Sequence, residues 1–250
     1  MRLYRIGGSS KGEERRFRYN LRRVRITVSK ENYLKAILEA EAEGEMVIAA
    51  TLARWLGVSA PAAGMAVRRL QRDGLILVRK SGEIVLTPTG REIAVRLFAR
   101  HQLIERMLAE IFGMEWFRVH DEAEQLEHAV SEDFERLLVE KLGPAGRSPL
   151  GGRTGLISAQ ERRRRGWRLL AEVGAETWVE VQMILDRDRA LLEYLDRLEI
   201  RPGVAIEVAA RNVDQTITLR VGSEPVQLGL TAAGKIWVRP LAAPPPGRGL

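Results

Sequence analysis

The chain holds three histidines, and all of them fall between His101 and His128, each close to carboxylates. His101 stands four residues before Glu105, His120 follows, and Glu124, Glu127 and His128 close the group. Imidazole nitrogen and carboxylate oxygen are the ligands that Mn, Fe, Co, Ni and Zn accept. Helical spacing of three or four residues makes such side chains neighbours on one face. One helix therefore presents His101 and Glu105, and another presents Glu124, Glu127 and His128. The pattern predicts two ligand clusters holding two ions. A single His/Glu pair at this spacing is ordinarily a solvated ion pair; the concentration of so many ligand types in one stretch carries the metal assignment.

The elements that position these residues must come from a chain of 250 residues with 45% hydrophobic content, enough for two or three small domains. No apolar run approaches the ~18 residues a membrane span needs, and no secretory leader pattern opens the chain. The expectation is a soluble, intracellular protein of the cytoplasm with no membrane partner. Cysteine is absent, which excludes disulfides, thiolate zinc sites and iron–sulfur clusters. Lys and Arg number 40 against 33 Asp and Glu, a balance compatible with a polyanionic partner. The bases crowd into Arg2 to Lys30, Arg68-Arg69-x2-Arg72, Arg79-Lys80 and Arg162-Arg163-Arg164-Arg165, whereas acids gather between Glu105 and Glu140.

Residues 1–28 are Arg-rich, carry Gly7-Gly8-Ser9-Ser10 and lack periodic apolar pattern, so they read as a flexible arm. Ser29 then reads as the N-cap of a helix with Asn32 at its third position and Tyr33, Leu34, Ile37 and Leu38 on one face, ending near Gly44. Two short helices follow, about 48–56 and 60–73, joined by Gly57-Val58-Ser59 with Ser59 as cap, which is a helix-turn-helix signature. Leu75–Val78 and Ile84–Thr87 are β-type runs around Arg79-Lys80-Ser81-Gly82-Glu83, a wing hairpin. Residues 29–88 thus read as a winged-helix DNA-binding domain.

Residues 89–143 read as two long helices, about 89–112 and 120–142, whose apolar stripes predict a homodimer. Residues 144–170, opening on a Gly/Pro/Ser-rich stretch, read as a linker. Residues 171–241 read as a small β-barrel with strands at 178–185, 204–209, 216–221 and 236–239 and a helix at 189–198, before a tail at 242–250. The fold class is mainly α with β.

On three segments, LTPTGREIAVRLFARHQLIERML, VHDEAEQLEHAVSEDFERLL and RSPLGG, set between a winged helix and a barrel, the chain resembles the DtxR/MntR family of metal-dependent transcriptional repressors. The likeness covers roughly residues 29–241 and is to the three-domain form, with an SH3-like (FeoA-like) C-terminal domain. The resemblance implies an ancillary metal site from His101, Glu105 and His120 and a primary site from Glu124, Glu127 and His128. It implies a further primary ligand from the first helix, at Asn32, where iron-type members have Met and manganese-type members Asp. It also implies a barrel contribution to the ancillary site, from Asp186 or Asp188.

Glu124 stands where iron-type members place Cys. Exchanging soft sulfur for hard oxygen favours Mn²⁺, the lowest in the divalent affinity order, with Fe²⁺ as the alternative and Co, Zn and Cd also able to bind. The recognition helix departs from the family, with Ala60-Pro61-Ala62-Ala63-Gly64-Met65 in place of the Thr, Ser and Gln that reach base edges and phosphates. Ser59, Ala60, Pro61, Ala62 and Met65 remain the candidate base-facing residues, through apolar contact and DNA shape. Arg68, Arg69, Arg72, Arg79 and Lys80 are the candidate phosphate contacts. The expected function is a metal-activated homodimeric repressor of metal-homeostasis genes, binding a double-stranded operator, and not an enzyme. Two rivals of other classes are a dinuclear carboxylate metalloenzyme, for which the Glu-x-x-His pair on each of two helices is missing, and a winged-helix regulator indifferent to metal.

Overall fold

The computed structural model describes residues 26–143, 146, 148–151, 156–185, 188–222 and 224–243. The expected arm up to residue 25, most of the tail, and Asp186 lie outside these residues. The chain divides into two compact units. Among the described residues, one takes in 26–37 together with Val47–Ile93; the other takes in Leu38–Met46 and those from Ala94 on.

In the first unit, α1 (Val28–Ala42) buries Tyr33, Leu34 and Ile37. Its first turn is tied back to Thr27, whose Oγ1 accepts from Lys30 N at 3.4 Å and whose carbonyl accepts from Glu31 N at 3.0 Å. The cap is therefore Thr27, and Ser29 lies inside the helix. α2 (Ala49–Leu56) ends on Gly57, whose φ of 62° is the left-handed conformation a helix C-terminus favours in glycine. α3 (Ala60–Arg72) is capped by Ser59, which accepts from Ala62 N, and carries Pro61 in its first turn, where no amide donor is required. Strands β1 (Ile76–Val78) and β2 (Ile84–Leu86) pair antiparallel, with Ile76 opposite Leu86, and Ile84 N also donates to Val47 O. This is the expected winged helix.

Thr87 fastens the wing to the next helix, α4 (Pro88–Arg106): its hydroxyl lies 2.9 and 3.0 Å from the carbonyls of Gly74 and Leu75 and accepts from Gly90 N at 3.1 Å. A Cβ at Gly90 would come 2.0 Å from Leu75 O, so that only glycine lets the helix lie against the strand.

In the second unit the two long helices expected from the apolar stripes are interrupted. α4 is regular to Arg106 and widens into a π-helical turn at Met107–Ile111. The other is two helices, α5 (Val119–Leu126) and α6 (Glu132–Leu142), separated by a turn at 127–129. Ser131 explains the break: its side chain accepts from Phe134 N, and Glu132, Asp133 and Glu135 fill the positive end of a new helix. Ile104, Val119 and Ala123, all fully buried, pack with Leu103, Met107, Leu108 and Leu138 to form this core.

The C-terminal part is a six-stranded antiparallel sheet in the order β3-β8-β4-β5-β6-β7, formed by β3 (Arg168–Leu169), β4 (Thr177–Ile184), β5 (Ala205–Arg211), β6 (Thr216–Val221), β7 (Glu224–Gly229) and β8 (Ile236–Pro240). Register shifts at Val181/Met183 and Val208/Ala210 bend it, and inward residues such as Val179, Val181, Ile206, Val208 and Leu219 fill its core. The segment read as linker contains a helix, α7 (Ala159–Arg164), and strand β3. β3 is too short for alternation to reveal it, and Pro225 disguised the edge strand β7. α8 (Arg189–Arg197) lies where the sequence placed a helix.

Gly90→Ala should lower stability by about 2 kcal/mol or more through overpacking. Gly64→Ala, where the new Cβ meets only Arg68 at 3.7 Å, should raise it by about 0.5–1 kcal/mol. Urea unfolding of the two variants gives the comparison, and an equal effect would remove the close approach at Leu75 as the reason for Gly90.

Candidate metal centre

His101 and Glu105 lie one turn apart near the end of α4, and His120 opens α5. All three are buried. His101 Nε2 is 3.0 Å from Glu105 Oε1 and 2.9 Å from His120 Nδ1, and His120 Nδ1 is 3.2 Å from Glu105 Oε1. The imidazoles meet edge to face, with centroids 4.7 Å apart. Among the described residues this is the His/Glu/Asp triplet whose ligand atoms converge. Donor atoms on neighbouring corners of an octahedron around an ion at about 2.1 Å are roughly 3.0 Å apart, so the observed triangle fits a first-row divalent cation.

Proton positions support the same fit. His101 Nδ1 is 2.7 Å from Glu127 Oε2. A carboxylate there accepts from an Nδ1–H, which favours the tautomer whose Nε2 could face a cation. Ser148 Oγ donates to Glu105 Oε2 at 2.8 Å, leaving Oε1 for the triangle, and itself accepts from Leu150 N at 3.2 Å. Burial alone would push the Glu105 carboxyl up, but with His101 and His120 protonated their charge and hydrogen bonds outweigh it and hold the group well below the usual carboxylate range, so a cation at this place would take over the role of those protons.

The second predicted cluster is more open. Glu127 is buried, its Oε1 3.4 Å from His128 Nε2, while Glu124 is half exposed, with Oε1 3.6 Å from His120 Nε2. Glu124, Glu127 and His128 do not converge as the first triplet does, because α5 ends at Leu126 and places Glu127 and His128 in a turn. The shared helix face assumed from the spacing does not extend that far. Arg100 fastens this turn by donating to Glu127 O at 3.1 Å and to Glu135 Oε2 at 3.0 Å. Asn32 belongs to the other unit; its Oδ1 is buried and has no hydrogen-bond partner among the described residues. Asp188 is not brought to the triplet: it caps α8, with Oδ1 accepting from Ala190 N at 2.9 Å. Ser148 was missed by sequence reasoning, although it lies in the RSPLGG segment; a linker serine gives no sign that it faces a carboxylate.

In the first unit, Ser59, Ala60, Pro61, Met65, Arg68, Arg69 and Arg72 are exposed along α3, with Ala62 half-buried, while Ala63, Val67 and Leu70 face the core. Arg79 and Lys80 are exposed at the tip of the wing, where Arg79 pairs with Glu83 at 2.8 Å.

Family comparisons match the chain in three consecutive segments. Residues 25–83 match the N-terminal DNA-binding domain of iron-dependent repressors, residues 87–154 their metal-binding and dimerisation domain, and residues 168–240 the FeoA domain. The chain is 40% identical over 137 residues to the diphtheria toxin repressor of Corynebacterium glutamicum, covering 52% of this chain and 60% of that protein. It is 40% identical over 121 residues to the iron-dependent repressor IdeR of Mycobacterium tuberculosis, covering 48% and 53%. The matches thus span little more than half the length of these curated relatives. A solved structure of a manganese-dependent transcriptional repressor in complex with manganese superposes with a TM-score of 0.74 at 32% identity, over 85% of this chain and 100% of that one.

Ser148→Ala strips a partner from both Glu105 Oε2 and Leu150 N. It should cost about 1–3 kcal/mol of stability and weaken metal binding by about tenfold. Calorimetric titration with Mn²⁺ measures the second effect, and unchanged affinity would separate Ser148 from the centre.

Proposed function

Because the chain belongs to the DtxR/MntR family of metal-dependent repressors, we propose that it is a metal-activated, DNA-binding homodimer that represses metal-homeostasis genes, with Mn²⁺ as its preferred effector. The observation that carries this reading is the buried convergence of His101, Glu105 and His120 in a chain that also presents an exposed basic face on a winged helix.

His101, Glu105 and His120 would hold one ion, and Glu124, Glu127 and His128 a second. A bound dication supplies the positive charge that makes the close approach of these donors favourable. The chain's own residues do the rest: Glu127 fixes the His101 tautomer, Ser148 aims Glu105, and Arg100 holds the turn that carries Glu127. Each of these contacts draws a different segment toward one point, so occupancy and order rise together. A protein whose DNA-competent arrangement is a minor state without metal becomes competent when binding favours that state.

Exposed Phe134 and Leu137 on α6, with Ile111 and Phe112 nearby in sequence to the centre, support a dimer, since monomers seldom leave such apolar surface uncovered. The carboxylate at Glu124 supports manganese over iron. The iron-responsive alternative rests on the relatives named as iron-dependent repressors. Titrating Mn²⁺, Fe²⁺ and Zn²⁺ against binding to the DNA upstream of the gene tests the whole proposal, which fails if no metal strengthens binding.

Glu127→Ala should abolish Mn²⁺-activated binding in a protein that still dimerises, and Glu124→Cys should move activation toward Fe²⁺ or Zn²⁺; an unchanged metal ranking would place selectivity elsewhere. For DNA, Arg69→Ala should reduce the slope of log K against log salt by about 1 and weaken all sequences alike, whereas Met65→Ala should alter preference at one position per half-site. Salt titration and sequence selection measure these, and an unchanged slope would remove Arg69 from the phosphate interface.

A further inference from the structure

The guanidinium of Arg106 is buried in the second unit, one residue after the candidate ligand Glu105 on α4 and about 100° further around the helix. A buried guanidinium is costly unless its donors are met, and the partners it finds here come from three directions. Nη2 donates to Leu142 O at 2.6 Å and Nη1 to Gly143 O at 3.1 Å, so the side chain takes up carbonyls that α6 leaves open at its C-terminal end. Nε and Nη2 fork onto Glu110, at 2.8 and 3.4 Å, in the π-helical turn. Gly146 lies directly against the guanidinium: a Cβ there would come 2.2 Å from Cζ, 2.3 Å from Nε and 2.7 Å from Nη1, all atoms of Arg106.

Two residues beyond Gly146 stands Ser148, whose hydroxyl donates to Glu105 Oε2 at 2.8 Å and accepts from Leu150 N at 3.2 Å. Two residues of chain reach about 7 Å at most, so the place at which Gly146 is pinned limits where the Ser148 hydroxyl can go. Glu105 turns its other oxygen, Oε1, toward His101 and His120 at 3.0 and 3.2 Å. α4 thus carries, on consecutive residues, a member of the triplet and the group that fixes the segment supporting it. Helix capping accounts for the bonds to Leu142 and Gly143, but not for a glycine pressed on the guanidinium between that cap and Ser148.

We propose that Arg106 is a positioning residue for the metal centre: by holding the end of α6 and Gly146 together it sets Ser148 on Glu105 Oε2 and so keeps Oε1 for the ion. The proposal rests on the metal-binding reading of His101, Glu105 and His120, and deepens it by naming what orients one of the ligands from outside. Arg106 acts through Ser148 and not on the triplet itself.

The test measures the Mn²⁺ affinity of the full-length protein by calorimetry, taking as the triplet's the component that His120→Ala removes. Arg106→Lys keeps the charge and loses the fork. Gly146→Ala puts a methyl group where the guanidinium lies, at a position outside α4 and α6, where folding is less at risk. Each should raise the Kd of that component about tenfold. In a Ser148→Ala background the same Gly146→Ala change should add no more than about twofold, because the contact through which it acts is already gone. In the metal-free protein, Gly146→Ala should speed hydrogen exchange at the Leu150 amide, whose acceptor is Ser148 Oγ, while the amides of β5 and β6 keep their wild-type rates. An unchanged Kd in Gly146→Ala, a loss that adds in full to that of Ser148→Ala, or a Leu150 amide with wild-type exchange would each overturn the proposal. A wild-type protein with no such Mn²⁺ component would overturn it together with the metal reading. A wild-type protein that binds Mn²⁺, beside a Gly146→Ala variant that binds it equally well, overturns it alone.

Discussion

Three titratable side chains meet within hydrogen-bond distance in the dry interior of the second unit, and the packing around them is organised by their need for partners. His101, Glu105 and His120 approach to about 3 Å, and two of them are held from behind. Glu127 takes the far nitrogen of His101, Ser148 takes the far oxygen of Glu105, and Arg100 secures the turn that brings Glu127 in. The supporting groups come from α4, from the turn after α5 and from the segment at 148–151, so the triangle depends on the relative placement of pieces far apart in sequence. That dependence is what the proposed metal response would use, since one central charge would change the balance of several segments at once.

The C-terminal sheet shares in this placement. Trp116 and Phe117, just upstream of His120, pack against its core, and the Trp116 indole donates to Asp196 at 2.6 Å. Leu150 O accepts from Ile184 N at 3.0 Å and Gly151 bridges Met183, so the residues just after Ser148 lie against β4. A Cβ at Gly151 would lie 2.2 Å from Gln182 O, which reserves that contact for glycine. Through these contacts and the Arg162–Glu43 pair, the sheet grips the chain on both sides of the ligand-bearing helices.

The winged unit follows a different economy of contacts. Thr87, with one hydroxyl, joins two carbonyls at the wing to the first turn of α4, and Gly90 allows the backbones to meet. The surface proposed to face DNA is built from small and apolar side chains flanked by arginines, a composition suited to recognition through phosphate charge and groove shape.

Local pattern fixed a good deal by itself. Ser59 and Gly57 marked the ends of the reading helices, alternation gave β4 and β6, and the crowding of all three histidines into 28 residues pointed to metal, because these signals act over one turn or one strand and need no distant partner. The same local logic failed where distant groups decide. It ran one helix through Ser131 and so placed Glu127 and His128 on a face that ends at Leu126. It counted Arg162 among the basic clusters suited to a polyanion and Ser148 as linker. Whether an arginine is buried, whether a serine meets a carboxylate, and which of two carboxylate oxygens is left facing an ion depend on contacts between segments forty to a hundred and twenty residues apart. Only the packing of the tertiary structure sets those contacts, since burial and pairing are properties of the assembled interior and not of the residues that enter it.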